Sequence, residues 1–168
     1  MKNLKEEFLE MLSGYQGILH KVSLIYFKNK EDREDNFQEI VYQLWKSYPK
    51  LKKKESIGSW IYAVSINTSI SRLKKNGGVE YREKLPEQKH ETDFTEKLLM
   101  NEQLRMLIHA IHKLSPVDKS IMLLYLEEKS YEEISQITGL TVSNVGVRIN
   151  RAKKSLKQNL NHQNHDNR

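Results

Sequence analysis

The sequence contains no cysteine, only three prolines and no apolar run long enough to span a membrane. Without cysteine the chain can form neither a disulfide nor a thiolate metal site, and it has no cysteine nucleophile. The charged N-terminus has no continuous apolar segment of the kind found in signal peptides, so we expect neither secretion nor membrane insertion. These absences favour a cytoplasmic protein.

Sequence motifs of catalysis are also missing. The chain has no Gly-rich phosphate loop, no Gly-x-Ser-x-Gly elbow and no acidic pair placed by a recognisable motif. His109 and His112 lie three residues apart on a predicted helix, but no cysteine or carboxylate accompanies them, so we interpret them as surface residues. We therefore expect no enzyme activity, no catalytic residue, no metal and no cofactor.

Positive charge, in contrast, is in excess. The 168 residues include 28 Lys and Arg against 22 Asp and Glu, a formal net charge of +6. Such a balance favours a polyanionic partner such as a nucleic acid, although mild basicity alone is common among soluble proteins. The hydrophobic content of 38% and charged content of 30% fit a globular chain with modest cores.

Apolar residues recur at steps of three and four and predict helices throughout, with no strand. Three helices are predicted in the first domain, residues 1–75. They begin near Leu4, near Asp32 and near Ser56 or Ser59, and Pro49 ends the second. Their apolar faces are expected to share one core.

The periodicity stops after residue 75. Residues 76–93 contain Gly-Gly, Pro86 and many charges, and we interpret them as a linker between two separate packing units. A second domain with four helices is predicted over residues 94–160, followed by a disordered polar tail at residues 161–168. The expected fold is all-α, with two small helical domains joined by a flexible linker.

The second domain contains the sequence outline of a helix-turn-helix. Ser130 and Glu133 form a capping box that begins a short helix. Gly139 suits a left-handed position at the end of that helix, and Thr141 can cap a longer one. This order of signals predicts a recognition helix that begins near residue 141.

The predicted recognition helix has a surface of one charge sign, because no acidic residue lies between Val142 and Gln163. A helix face that is only solvated usually mixes both signs, so this pattern predicts DNA binding. Arg148 can present a guanidinium fork to guanine, and Asn144 can read adenine. The candidate DNA contacts are Thr141, Ser143, Asn144, Val147, Arg148, Arg151, Lys153 and Lys154.

Segments in both domains resemble extracytoplasmic-function (ECF) RNA polymerase sigma factors. Residues 114–119, 131–140 and 145–154 resemble the region 4 domain of that family. Residues 35–40, 59–62 and 67–68 resemble its region 2 domain. The likeness spans nearly the whole chain in the family's order, although Leu51, Lys53 and Gly58 differ from the residues common at those positions.

The resemblance implies binding to core RNA polymerase and to promoter DNA, with an anti-sigma factor as a possible further partner. The helix-turn-helix would bind the duplex −35 element. Candidate contacts to the coiled coil of the largest polymerase subunit are Asp32, Glu34, Asp35, Phe37, Gln38, Glu39 and Leu44. Candidate contacts to the single-stranded −10 element are Leu51, Lys52, Lys53, Lys54, Trp60, Val64 and Asn67.

The −10 assignment is chemically reasonable. A basic loop attracts the separated strand, and an apolar pocket with one amide can hold an extruded base. By resemblance that pocket would be lined by Leu51, Val64 and Asn67. Trp60 is the weaker candidate, since a tryptophan on a helix is more often part of a core.

Two other functions remain open at this point. A stand-alone helix-turn-helix regulator would bind a symmetric operator as a dimer. An interaction module or antagonist would bind polymerase without supporting initiation. A sigma-like factor would instead gain specificity only with polymerase, which orients both domains on two promoter elements.

Overall fold

The computed structural model describes residues 1–52, 56–76 and 101–166, and within these ranges every regular element is a helix. The N-terminal domain contains α1 (Leu4–Tyr26), α2 (Lys30–Ser47), a 3₁₀ turn (Tyr48–Lys50) and α3 (Ile57–Lys75). The C-terminal domain contains α4 (Glu102–His112), α5 (Pro116–Leu126), α6 (Tyr131–Thr138) and α7 (Val142–Asp166). The predicted all-α fold with two helical domains is confirmed.

Asparagine side chains set the starts of the first two helices. Asn3 and Glu6 form a capping box at the start of α1. The Asn29 side chain accepts a hydrogen bond from the backbone N–H of Asp32 at 2.8 Å. Because Asn29 is the cap, α2 begins at Lys30, two residues before the predicted start.

The N-terminal core lies between α1, α2 and α3. Leu19, Ile40, Leu44 and Ile61 are fully buried there. The arrangement agrees with the predicted shared core, because residues at helical spacing on each element point to the same interior.

A buried amide links the same three helices. Asn36 on α2 has no exposed surface, and its Nδ2 donates to the hydroxyls of Ser23 on α1 at 3.0 Å and Ser69 on α3 at 2.9 Å. Ser69 in turn donates to the carbonyl of Ser65. This network fixes the rotation of α2 against its neighbours, because a slip would leave several buried polar groups unpaired.

The C-terminal domain follows the predicted helix signals closely. Ser115 caps α5 with Pro116 in its first turn, and Ser130 caps α6. Gly139 has a φ of 77°, the left-handed conformation predicted for the turn before α7. Ile121 and Ile149, both fully buried, lie in the core that holds α5 against α7.

The predicted disordered tail is wrong for residues 161–166, because α7 continues to Asp166. Leu160 packs against the core, and the Gln163 Nε2 lies 2.9 Å from the His109 Nδ1 on α4. The composition of this segment is polar, but Leu160 and Gln163 hold its last turns against the C-terminal domain. Composition alone does not reveal these contacts. Residues 167–168 lie outside the described ranges.

The prediction of two separate packing units is also wrong. One buried apolar cluster contains Val22 and Tyr26 of α1, Ile66 of α3, and Ile111 and Leu124 of the C-terminal domain. The two domains therefore share a continuous core in this structure. The predicted linker lies outside the described residues, apart from Asn76.

His112 lies between the domains and is largely buried, which corrects the interpretation of this histidine as a surface residue. Its Nε2 lies 2.8 Å from the carbonyl oxygen of Leu24 on α1, so this nitrogen carries the proton and donates. The pKa of His112 is lowered from its ordinary 6.5 to about 4, chiefly by burial and to a smaller extent by the charges of Lys119 and Lys28, while the bond to Leu24 opposes the shift. The ring is neutral at pH 7.

Acidification is therefore expected to destabilise the protein through His112. Because the pKa of His112 is lowered in the folded protein, the neutral ring stabilises the fold fully above pH 6.5. This stabilisation is lost as the pH falls towards 4. The free energy of unfolding should fall by roughly 2 kcal/mol. This is less than the full pKa shift implies, because the ring is partly exposed to solvent. Urea unfolding of the wild type and His112→Gln across this range measures it.

The glutamine side chain keeps an N–H donor for Leu24 but does not titrate. His109, whose pKa is lowered by burial and by Lys113, is present in both proteins and so cancels in the comparison. Equal pH dependence of the two proteins would contradict the assignment to His112.

Candidate nucleic-acid interface

The turn between α6 and α7 is fixed by local hydrogen bonds. The Gly139 N–H donates to the carbonyl of Ser135 at 2.9 Å, and the Ser135 hydroxyl donates to the carbonyl of Leu140. The Thr141 hydroxyl accepts from the N–H of Asn144 at 3.1 Å, which is the predicted cap of α7. The structure thus contains a helix-turn-helix at the predicted position.

One side of α7 is buried and the opposite side faces solvent. Val145, Ile149, Ala152 and Leu156 are buried. Because successive helix residues are rotated by about 100°, the residues opposite this stripe project away from the domain. The exposed residues on that side are Ser143, Val147, Asn150, Arg151 and Lys154.

Four of these five residues were predicted as DNA contacts, and Asn150 was missed. It lies three residues after Val147 and seven after Ser143, so helical spacing alone could have placed it on the same face. Its amide can donate to and accept from a base edge. Val147, with 54% of its surface exposed, adds an apolar contact of the kind that a thymine methyl accepts.

Arg148 has a different position from the one predicted. Its Nη1 lies 3.0 Å from the Asp118 Oδ1 on α5, and only 26% of the arginine side chain and 19% of the aspartate side chain are exposed. Its Nε is buried, with no hydrogen-bond partner in the structure. Arg148 lies beside the buried stripe rather than opposite it, so its guanidinium joins α7 to α5 and does not project freely.

Lys153 also turns back towards its own domain. Its ammonium group lies 4.3 Å from the centre of the Tyr125 ring, and the interaction with Tyr125 raises the pKa of Lys153. The lysine stays exposed and charged, so it contributes to the positive surface without facing the same way as Arg151.

A groove of about 670 Å³ lies between α2 and α3. It brings together Val64 and Asn67, two of the predicted −10 contacts. Most of its other lining groups are hydroxyls, amides and cations, which suit a polar ligand with both donors and acceptors. The lining residues are Glu39, Gln43, Ser47, Val64, Asn67, Thr68, Ser71, Arg72, Lys75 and Asn76.

Trp60, Leu51 and Lys52 are not among the described residues that line this groove. Trp60 is partly buried against the N-terminal core, with its ring 6.4 Å from that of Tyr48, which fits a packing role. Leu51 is partly buried and Lys52 exposed, after the 3₁₀ turn. Lys53 and Lys54 lie outside the described residues.

Most of the predicted polymerase contacts lie at the acidic start of α2. Glu34, Asp35 and Gln38 are exposed, and Asp32 and Glu39 are partly exposed. Phe37 stacks on the ring of His20, with centroids 4.6 Å apart, at a second groove of about 400 Å³ between α1 and α2. His20 therefore lies beside the predicted contacts, although the sequence analysis did not single it out.

Leu44 does not belong to that surface. It has no exposed area and lies in the N-terminal core, so its assignment as a polymerase contact is wrong. The physical reason is helical spacing, since Leu44 lies four residues after the buried Ile40 and eight after the buried Asn36.

Two negative findings apply to the described residues. No helix there has the length and apolar character needed to cross a membrane. Those residues also hold no cluster of three or more potential metal ligands, including around His109 and His112.

Comparison with known proteins gives matches along most of the chain. The family model for Sigma-70 region 2 matches residues 11–79, and the model for Sigma-70, region 4 matches residues 104–156. The RNA polymerase sigma factor SigV of Bacillus subtilis is 28% identical over 152 residues, which cover 89% of this chain and 88% of that protein. The ECF RNA polymerase sigma-E factor of Haemophilus influenzae is 25% identical over 168 residues, which cover 93% of this chain and 88% of that protein.

A solved structure also superposes along most of the chain. It is the sigma factor RpoE from Bartonella quintana, in complex with the anti-sigma factor NepR. The TM-score is 0.67 at 19% sequence identity, and the match covers 96% of this chain and 98% of that chain. At this identity the likeness concerns the fold.

These matches place a region 2 domain before a region 4 domain, in the positions occupied by the two helical domains. The chain belongs to the sigma-70 family of promoter-recognising transcription initiation factors. Within that family it is an ECF sigma factor, a subunit that binds core RNA polymerase and promoter DNA. The stand-alone operator-binding regulator is not favoured, because it gives no account of the N-terminal region 2 match.

Proposed function

We propose that α7 reads the −35 element, that the groove between α2 and α3 holds the separated −10 strand, and that the start of α2 docks on the largest polymerase subunit. The polymerase supplies all phosphoryl-transfer chemistry, and this chain has no catalytic group of its own in that scheme. We place this activity in the cytoplasm, where polymerase and DNA are found.

The exposed face of α7 is the observation that carries the −35 assignment. Ser143, Val147, Asn150, Arg151 and Lys154 lie together on the side away from the core. Arg151 and Asn150 supply the donors and acceptors that read bases, and Lys154 supplies a phosphate contact. The absence of acidic residues along this part of the helix favours a close approach to DNA.

The groove between α2 and α3 supports the −10 assignment by its chemistry. Val64 offers an apolar wall, and the exposed Asn67 amide offers one donor and one acceptor to a base edge. Lys75 at the same groove can neutralise a phosphate of the strand. The cavity volume lies within the ordinary range of ligand sites.

The polymerase surface is supported by charge and by one aromatic contact. Carboxylates in the first turns of α2 interact favourably with the helix dipole. The Phe37 and His20 rings beside them provide apolar contact area at the centre of a charged surface. We further propose that an anti-sigma factor regulates this chain, as its solved relative is found in complex with one.

Run-off transcription tests the proposal. Purified core RNA polymerase would transcribe a genomic fragment library with and without this protein, and the start sites would be sequenced. New starts preceded by a shared pair of −35 and −10 elements are expected. DNA binding as a dimer without any new start would instead favour the operator-binding regulator.

Replacing Arg151 with alanine is expected to weaken binding to the −35 duplex by about 1–3 kcal/mol and to relax specificity at one base pair. Lys154→Ala is expected to weaken binding to all sequences alike. It should also reduce the slope of the logarithm of affinity against the logarithm of salt concentration by roughly the contribution of one phosphate contact. Fluorescence anisotropy of the protein bound to core RNA polymerase, with single-base variants of the −35 duplex at several salt concentrations, measures both.

Arg105→Ala provides the matched control, because Arg105 is an exposed arginine of α4 outside this surface. Its removal lowers the net charge equally but should leave base discrimination unchanged. Loss of discrimination in the control, or none in Arg151→Ala, would contradict the assignment of Arg151.

A further inference from the structure

Two different sides of α2 line the two grooves of the N-terminal domain. Glu39 and Gln43, one helical turn apart, line the groove between α2 and α3. Phe37 and Gln38 line the groove between α1 and α2, at the proposed polymerase surface. Although the resemblance implies a polymerase contact for Glu39, its side chain shares a groove with Asn67 of the proposed −10 site.

A hydrogen bond fixes the Glu39 carboxylate in its groove. The Gln43 Nε2 donates to the Glu39 Oε1 at 3.0 Å, and both side chains are partly buried. An ionised carboxylate has about four acceptor sites and no donor, so it can accept further hydrogen bonds from a ligand. A side chain that is already held in place loses less conformational entropy when a ligand binds. Gln43 therefore acts as a positioning residue for the carboxylate.

The charge of Glu39 restricts how a DNA strand can lie in this groove. Arg72 and Lys75 line the same groove and attract phosphates, whereas Glu39 repels them. A strand is therefore bound favourably when its phosphates face the two cations and a hydrogen-bond donor faces the carboxylate. The strong donors of a DNA strand are on its bases, so a base edge is the group that fits beside Glu39.

Thymine is the base that this arrangement disfavours. Adenine, cytosine and guanine each have an exocyclic amino group that can donate to a carboxylate, and such charge-assisted bonds are strong. Thymine has no amino group. Its one ring N–H lies between two carbonyl oxygens, whose partial negative charges oppose the approach of the Glu39 carboxylate. The acceptor in this groove thus distinguishes three bases from the fourth.

We propose that Glu39, positioned by Gln43, selects a base with an exocyclic amino group at one position of the −10 strand and rejects thymine there. This inference rests on the proposed function, because it assumes that the groove between α2 and α3 holds that strand. Helix α2 then has two roles on two sides. The side with Phe37 docks on polymerase, and the side with Glu39 selects a base.

Binding of a fluorescent single strand by the complex of this protein with core RNA polymerase tests the proposal. A −10 sequence found by run-off transcription would be varied among the four bases at each position. At the selected position an analogue would then remove the amino group alone. The analogues are purine for adenine, 2-pyrimidinone for cytosine and hypoxanthine for guanine. The affinity of each protein variant for core polymerase would be measured separately.

The wild-type complex is expected to bind the amino-bearing base at least roughly tenfold more tightly than thymine or the analogue at one position. Glu39→Gln should reduce this ratio to below about threefold, because the amide also has a donor and can pair with the thymine O4. Gln43→Met keeps the length of the side chain but loses the donor, so it should give an intermediate ratio at the same position. Both variants should bind core polymerase within about twofold of the wild type, because neither side chain lies on the docking side of α2.

Glu34→Gln provides the matched control. It makes the same chemical change at an exposed carboxylate of α2 that lines the other groove. Its ratio between the amino-bearing base and thymine should equal that of the wild type. Because the ratio compares strands within one protein, a loss of affinity common to all strands does not alter it.

Three results would overturn the inference. The first is an unchanged ratio in Glu39→Gln, and the second is a wild-type complex that shows no preference against thymine at any position. The third is a clear loss of affinity for core polymerase in Glu39→Gln, which would return Glu39 to the polymerase surface. If the wild-type protein gave no polymerase-dependent transcript, the proposed function itself would fail, and this inference with it.

Discussion

Replacing Asn36 with aspartate is expected to destabilise the N-terminal domain by about 3 kcal/mol at pH 7. The side chain has no exposed surface, and its Nδ2 donates to Ser23 and Ser69. An aspartate of the same size loses both donors and places a charge at a position with no exposed surface. Burial should also raise the pKa of the new carboxyl, so that the defect shrinks at low pH as the group becomes neutral.

Urea unfolding at pH 7 and at pH 4.5 measures this effect. Asn164→Asp makes the same chemical change at an exposed position of α7 and should leave the free energy of unfolding nearly unaltered. A stable Asn36→Asp protein, or a defect that does not depend on pH, would contradict the role given to the amide network. Polymerase binding should fall with stability, since Asn36 lies between Asp35 and Phe37 of the proposed docking surface.

Replacing Asp118 with alanine is expected to destabilise the C-terminal domain by roughly 2 kcal/mol, because the Arg148 guanidinium loses its carboxylate partner in a mostly buried position. Arg148→Ala should have a similar effect. In both variants −35 binding should weaken alike for all base pairs, because the ion pair sets the position of α7 on α5. Hydrogen exchange of the α5 and α7 amides, together with duplex binding, measures the two effects.

The charge swap Asp118→Arg with Arg148→Asp keeps an ion pair at the same place and should recover part of the stability lost in the single variants. Two results would restore the sequence-based assignment of Arg148 as a guanine reader. The first is unchanged hydrogen exchange of the α5 and α7 amides in Arg148→Ala. The second is that this variant loses discrimination between bases at a single base pair of the −35 element.

Much of the fold was predictable because its signals are local. Ser115 with Pro116, the Ser130 cap and the left-handed Gly139 each act within a few residues of chain, and all three lie where the sequence placed them. The exposed side of α7 follows from helical spacing in the same way, although Asn150 on that side was overlooked. Ser143, Val147, Arg151 and Lys154 were predicted correctly as exposed side chains, whereas their contacts to DNA stay predictions.

Other features depended on which elements meet in space. Leu44 is apolar at a helical spacing that fits either a docking surface or a core, and only the packing of α2 on α1 and α3 buries it. Arg148 is a cation on a basic helix, and only the neighbouring α5 supplies the Asp118 that binds it. A sequence pattern gives the direction of a side chain around its own helix but not the identity of the neighbour it meets.

The sequence by itself determined the all-α class, the two domains, the helix-turn-helix and the basic surface of its second helix, because caps, glycine conformation and helical periodicity act over short distances along the chain. The tertiary structure alone decided that the domains share one core, that His112 is buried between them and that α7 extends to Asp166. These features arise from contacts between residues as far apart in sequence as Leu24 and His112. Such contacts depend on the complementarity of two surfaces, which no local pattern in either segment specifies.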